Sequence, residues 1–241
     1  MSNYAELIIE NGRIADGLNK LLRVEVKEGV KVKTVELSKG LAEKIGKHEG
    51  KYVTVDDEGG NFENVLADAL RDMSCGAKRI LCVGIGNADM TTDALGKRTL
   101  DRMATSEKMM LFCPSVEAKT GIPSAKIMKS IVRTCKPDLM VAVDALSSCD
   151  YGRIGKSFQM TDGGISVGSA LGEGSALNRE SMGIRVIGIG VPTVVSAAGF
   201  LANYGCSANV PPSLLLTPKN IDTIVDSCAE KLARIISCAF L

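Results

Sequence analysis

Arg79-Ile-Leu-Cys-Val-Gly-Ile85 is apolar from its second residue to its last and runs directly into Gly86-Asn87. Two further stretches read the same way. Pro137-Asp-Leu-Met-Val-Ala-Val143 leads into Asp144, and Arg185-Val-Ile-Gly-Ile189 leads into more glycine. A strand covered on one face alternates apolar with polar residues, whereas a strand covered on both faces is apolar throughout. Three such runs, separated by segments of helical periodicity, predict parallel strands buried in an α/β sheet. The intervening helices are expected over roughly 92–103, 121–135 and 193–203.

Outward from that centre the pattern is more local. Val24 and Val26, then Val30, Val32, Val35 and Leu37, form two β-like runs around Glu28-Gly29, as in a hairpin. Ser38 to Lys47 reads as a short helix and Tyr52 to Val55 as a strand. Phe62, Val65, Leu66, Ala69, Leu70 and Met73 fall at helical spacing, so 62–73 is expected to be amphipathic. For the last helix Thr217 is the expected cap and Pro218 the first helical residue. Its apolar stripe is Ile221, Ile224, Val225, Cys228, Leu232, Ile235 and Ile236. There is no internal repeat, linker or low-complexity segment. The expectation is one α/β domain over residues 1–241, with 1–22 as an N-terminal extension. Its architecture is three layers: a mostly parallel central sheet, flanking helices and an N-terminal β-hairpin.

Composition narrows the function classes. Lys plus Arg is 29 against Asp plus Glu 28, which offers no electrostatic footprint for nucleic acid or an anionic membrane. Met1 to Gly12 lacks the basic start and apolar core of a signal peptide. Val186 to Pro218 carries no charged residue, but Gly188, Gly190, Pro192, Gly199, Gly205, Pro211 and Pro212 interrupt it. A buried strand, helix and loop fit it better than a spanning helix. None of the eight cysteines is spaced as CxxC or lies near a histidine, so a zinc site is unsupported and buried free thiols are expected.

Several familiar motifs fail on inspection. Gly84-Ile-Gly-Asn87 suggests a dinucleotide loop, but the third glycine would fall at Asp89, a carboxylate where a pyrophosphate would approach. Gly155-Lys156-Ser157 suggests a phosphate loop, but its first glycine would fall at Asp150. No cofactor motif remains. His48, the single histidine, lies in a turn and reads as a solvated residue, and no nucleophile elbow accompanies it. Asp162 lies in Asp-Gly-Gly, a turn.

Two carboxylates remain. Asp93 follows the first buried run and also fits a helix first turn, where the dipole favours an acid. Asp144 follows the second and also fits a strand-to-loop cap. Ligands of open α/β sheets bind outside the carboxyl ends of the strands, where both acids are expected. Neighbouring carboxylates push their pKa values apart, so one keeps a proton while the other activates water. Such a pair hydrolyses an amide without histidine or metal.

At this point an ordered set of segments resembles the spore germination protease family, the endopeptidases of small acid-soluble spore proteins. The segments are Val83-Gly-Ile-Gly-Asn87, Thr92-Asp-Ala-Leu-Gly96, Thr120-Gly-Ile122, Lys136-Pro-Asp138, Val143-Asp-Ala-Leu146, Asp162-Gly-Gly-Ile165, Gly188-Ile-Gly-Val-Pro-Thr-Val-Val195 and Leu216-Thr-Pro-Lys219. The resemblance implies a fold like that of the hydrogenase maturation proteases, with Asp93 and Asp144 as the catalytic pair. It implies no metal, a cytoplasmic site of action in the spore core, and a homo-oligomer, since the family forms tetramers. It also implies an acidic, Glu-containing cleavage site. Gly86 and Asn87, with Gly84, are expected to shape the loop beside the pair and donate to the scissile carbonyl. Lys97, Arg98, Lys119 and Arg153 are the candidate cations for the acidic substrate. Two other readings stay open: a metal-dependent peptidase of the maturation type, and a non-catalytic spore protein that keeps the fold.

Overall fold

The computed structural model describes residues 6–13, 18–167, 175–206, 209–211 and 213–240. Residues 1–5 and 14–17 of the N-terminal extension lie outside these, as do 207, 208 and 212 of the uncharged stretch. The strands are β1 (Arg23–Lys27), β2 (Val30–Leu37), β3 (Gly50–Asp56), β4 (Ile80–Gly84), β5 (Met109–Phe112), β6 (Leu139–Ser148), β7 (Ser157–Thr161), β8 (Ile165–Val167), β9 (Ser175–Leu177), β10 (Arg185–Ser196) and β11 (Leu215–Leu216). The helices are α1 (Leu18–Leu21), α2 (Lys39–Ile45), α3 (Phe62–Ser74), α4 (Leu95–Leu100), α5 (Glu117–Thr120), α6 (Ser124–Cys135), α7 (Arg179–Met182), α8 (Ala197–Asn203) and α9 (Ile221–Phe240). Short 3-10 turns cover Ile8–Arg13, Thr91–Asp93 and Tyr151–Arg153.

The central sheet is mixed, in the order β1-β2-β3-β7-β10-β6-β4-β5, with β11 added to β10. The three apolar runs form its parallel block: β10 pairs with β6, β6 with β4 and β4 with β5, all parallel. The expected hairpin β1-β2 continues through β3 and β7 in antiparallel pairing to the other edge of β10.

Period-two alternation explains why the runs are apolar throughout. On β4, Ile80 and Cys82 face one core with α3 and α9, while Leu81 and Val83 face a second core with α6 and α7. On β6, Leu139, Val141 and Val143 join the first core, and Met140 and Ala142 the second. The sheet is therefore sandwiched between helices, which is the expected three-layer arrangement. In α9 the positions Ile221, Val225, Cys228, Leu232, Ile235 and Ile236 are buried as one stripe. Phe62 of α3 meets Phe158 of β7 at 5.3 Å between ring centroids, closing the first core.

Several local expectations are corrected. β10 runs on to Ser196, and the helix expected from 193 begins at Ala197, because β6 also extends and keeps offering β10 a partner as far as Ser148. The helix expected over 92–103 is a 3-10 turn followed by α4, and that expected over 121–135 starts at Ser124, after Pro123. Thr217 does not cap α9. Its hydroxyl donates to the Thr193 carbonyl at 3.2 Å, and the helix starts at Ile221. Cys82 and Cys228 are buried thiols, but Cys75, Cys206 and Cys238 are exposed. No helix among the described residues is long and apolar enough to cross a membrane.

Candidate active site

Asp144 does not end its strand. β6 continues four residues beyond it, and Asp144 pairs in register with Gly190 of β10. What ends at this level is β4, whose last pairing is Gly84 with Val143. Asp144 is thus the first β6 residue beyond the last pairing with β4, at the level where one parallel strand stops and its neighbour continues. The strand-end principle applies here to β4 rather than to β6.

The loop leaving β4 turns back and brings Asp93 close enough to act on Asp144. Gly86 adopts φ +102°, and a Cβ there would lie 2.1 Å from the carbonyl oxygen of Asp93. Gly96, the second residue of α4, packs so that a Cβ would lie 2.5 Å from both the nitrogen and the oxygen of Ile85, and 2.6 Å from the Val143 carbonyl. Only hydrogen fits at these points. The Asn87 backbone N–H donates to the Asp93 carboxylate at 2.6 Å. That amide is engaged by Asp93 and positions it. Thr193 donates its hydroxyl to the Thr92 carbonyl at 2.6 Å, tying the Asp93 turn to β10.

The two carboxyls differ in proton affinity. Burial raises Asp93 above the ordinary carboxylate range, the Asn87 N–H opposes that, and the Glu6 charge adds to it. Burial raises Asp144 much further, with Glu6 and then Asp93 adding like-charge repulsion, and only the Ala145 N–H, at 2.9 Å, opposing. Asp144 therefore holds its proton more tightly than Asp93.

Glu6 is the charged neighbour of the pair that sequence reasoning missed. Its backbone N–H donates to the Ser147 carbonyl at 3.0 Å, and its carboxylate accepts from the Ser147 N–H at 2.6 Å. These contacts hold the N-terminal segment at the end of β6, close enough to both aspartates to raise them. Glu6 lies 141 positions from Ser147. Its one sequence signal is the pair Glu6 and Glu10 bracketing Leu7-Ile-Ile9.

The expected cations are all engaged. Lys97 pairs with Asp101, and Lys119 with Asp89. Arg98 faces α9, 3.6 Å from Asp222 and 3.3 Å from Asp226. Arg153 lies 3.3 Å from Glu10 and 3.4 Å from Asp56. His48 is not simply solvated: its Nε2 lies 2.9 Å from the Ser166 hydroxyl, and burial, then Lys47, lower its pKa. Asp162 sits in the expected turn and accepts from the Lys51 N–H at 2.7 Å. Among the described residues no three His, Cys, Asp or Glu side chains converge as a ligand set for a metal ion.

A stability prediction follows from the raised Asp144. Where the folded pKa exceeds the unfolded one, the native state binds more protons, so stability falls as pH rises from the ordinary carboxyl pKa through the raised one. Glu6→Gln removes a charge that raises Asp144 while keeping an acceptor for Ser147. Its melting temperature should therefore fall less steeply than that of the wild type as pH rises from 4 towards neutrality. Parallel melting-versus-pH curves would show that Glu6 does not act on Asp144.

Comparison with known proteins gives a consistent result. A family model described as germination protease matches residues 11–204. A germination protease of Priestia megaterium is 30% identical over 237 aligned residues, which cover 82% of this chain and 63% of the relative. That of Caldanaerobacter subterraneus subsp. tengcongensis is 33% identical, covering 73% of this chain and 63% of the relative. That of Clostridium perfringens (strain ATCC 13124) is 30% identical, covering 89% and 85%. The match thus spans less than two thirds of the length of the first two. Among solved structures, the NiFe hydrogenase maturation protease HycI of Thermococcus kodakarensis KOD1 aligns with a TM-score of 0.41 and 25% identity, over 70% of this chain and 99% of that one.

Proposed function

Because this chain belongs to the germination protease family, we propose that it is an aspartic-type endopeptidase that cuts small acid-soluble spore proteins during germination. The observation that carries the reading is the unequal pair of neighbouring carboxyls, with burial and like charge raising Asp144 further than Asp93. Asp93 takes a proton from water as the water oxygen adds to the scissile carbonyl carbon. The proton on Asp144 goes to the substrate, first to the carbonyl oxygen as it gains charge. When the C–N bond breaks, the leaving nitrogen takes the proton that Asp93 accepted and departs as an amine, a hydroxyl of the intermediate returns a proton to Asp144, and the new carboxyl carries the water oxygen. The Asn87 N–H keeps Asp93 oriented and ionised for the first step.

We place the reaction in the cytoplasm of the spore core and expect a homo-oligomer, a tetramer by the family's habit. Leu214, Leu215, Leu216 and Tyr204, exposed in a stretch without charge, support a buried contact between copies.

The chemistry class is tested with reagents. Chelators, thiol alkylation and serine-directed reagents should leave cleavage of a small acid-soluble spore protein largely intact, because no metal, thiolate or activated hydroxyl attacks the peptide. Loss on chelation that a divalent ion restores would overturn the aspartic reading in favour of a metal-dependent peptidase.

A further inference from the structure

Helix α6 presents an unbalanced positive face. Lys126, Lys129 and Arg133 are exposed and fall within an arc of about 60° on the helix, turned away from the buried Met128 and Val132. Lys136 continues the row at the C-cap, so four cations line about 15 Å of helix. The helix itself contains no acid. Among the described residues none of the four side chains has an acidic partner, whereas Lys97, Arg98, Lys119 and Arg153 are all paired. The acids that flank α6 in sequence are Glu117, in α5, and Asp138, whose carboxylate accepts from the Lys78 and Arg79 N–H groups at 3.1 and 2.9 Å. This arrangement works against the helix. Lys126 with Lys129, and Lys129 with Arg133, are like charges one turn apart, which lowers helix stability. Lys126, in the first turn, also meets the positive end of the helix dipole, and only Arg133 and Lys136 sit where the dipole favours a cation. The balance of 29 basic against 28 acidic residues in the whole chain conceals this face.

We propose that α6 docks on the phosphate backbone of duplex nucleic acid, without reading its sequence. The inference stands apart from the peptidase reading and does not rest on it. A phosphodiester backbone brings one charge per nucleotide whatever its sequence, and so neutralises a row of cations that has no acid of its own. An acidic peptide would have to carry a matching run of acids. In an extended strand successive side chains point to opposite faces, so only every second one meets the row. Three of the four cations are Lys, which binds phosphate as a point charge. The rest of the exposed side offers nothing to a base. The Ser130 and Thr134 hydroxyls donate to the Lys126 and Ser130 carbonyls at 3.2 and 2.9 Å. No aromatic ring or side-chain amide lies on α6, so bases are neither stacked nor read, and the contact is with the backbone.

The test is binding, independent of cleavage. A fluorescein-labelled, mixed-sequence short DNA duplex is titrated by anisotropy with the full chain. Four phosphate contacts predict an affinity that falls about a hundredfold between about 50 and about 200 mM salt. Lys129→Gln with Arg133→Gln removes two of them, so binding at the lower salt should weaken at least about tenfold, and the slope of log affinity against log salt should shrink by about 1.8. Lys39→Gln with Lys44→Gln, exposed on α2, removes the same charge elsewhere and should leave binding within about twofold of the wild type. If the first double variant does not fold, Lys126→Gln with Lys136→Gln, at the two ends of the row, should weaken binding in the same way. A second duplex of unrelated sequence should bind equally well. No binding at the lower salt, wild-type binding by a folded α6 variant, or an equal loss in the α2 control overturns the proposal. So does tighter binding of poly-glutamate than of duplex, which would mark the face as a dock for an acidic protein segment.

Discussion

Asp144→Asn is expected to lower peptidase activity by about a hundredfold to ten-thousandfold, the range over which a positioned acid or base contributes. The loss should appear in kcat with the fold intact. An amide has nearly the volume of the acid it replaces, and its oxygen can still accept from Ala145. Stability should move the other way. Wild-type Asp144 is held protonated against its tendency to ionise, mainly by burial, then by Glu6 and Asp93. As pH rises through its raised pKa the unfolded state gains an advantage, because there the carboxyl ionises freely. The Asn variant has no such group, so its melting temperature should exceed that of the wild type at neutral pH and depend less on pH. Measuring rate and melting together separates this from damage: a fall in both would mark Asp144 as structural.

The second large effect concerns glycines. Gly96→Ala should raise intrinsic helix propensity by about 1 kcal/mol, yet destabilise the protein. The added Cβ would meet Ile85 N, Ile85 O and Val143 O at 2.5, 2.5 and 2.6 Å, and none of these can rotate aside as a side chain would. Overpacking of this kind costs about 1–3 kcal/mol or more, so the clash outweighs the propensity. Gly86→Ala combines φ +102° with a contact 2.1 Å from the Asp93 carbonyl. Relief there must shift Asp93 itself, and displacement of about 1 Å can cost a hundredfold in rate. Gly121→Ala is the control, with positive φ but nothing within 4 Å. Urea midpoints and rates should show Gly121→Ala losing about 1 kcal/mol or less with activity retained, against inactive Gly86→Ala and Gly96→Ala. Full activity in a folded Gly86→Ala protein would detach this loop from the site.

The parallel block was legible because a short run of unbroken apolar residues, flanked by helical periodicity, is satisfied by a strand covered on both faces. β4, β6 and β10 each contain the run that announced them. The lengths of β6 and β10 were not legible. Ala145 to Ser148 carries no strand pattern of its own, and Thr193 to Val195, though β-branched, lies between Pro192 and Ser196 in a stretch that read as helix; both are strands because each lies beside the other. Asp93 and Asp144 could be found because they adjoin those runs. Glu6 could not, since its placement depends on a contact across 141 positions. The cations illustrate a different limit. A sequence shows that Arg98 follows Asp93, but not that α9 turns Asp222 and Asp226 towards it.

The most direct test of the central claim is to incubate the purified chain, in the presence of chelator, with a DNA-free small acid-soluble spore protein and to map the products by mass. The account predicts internal cuts by the wild type and none above background by folded Asp93→Asn or Asp144→Asn. Cuts by either Asn variant at the wild-type rate, or no cut by a folded wild type, would contradict it.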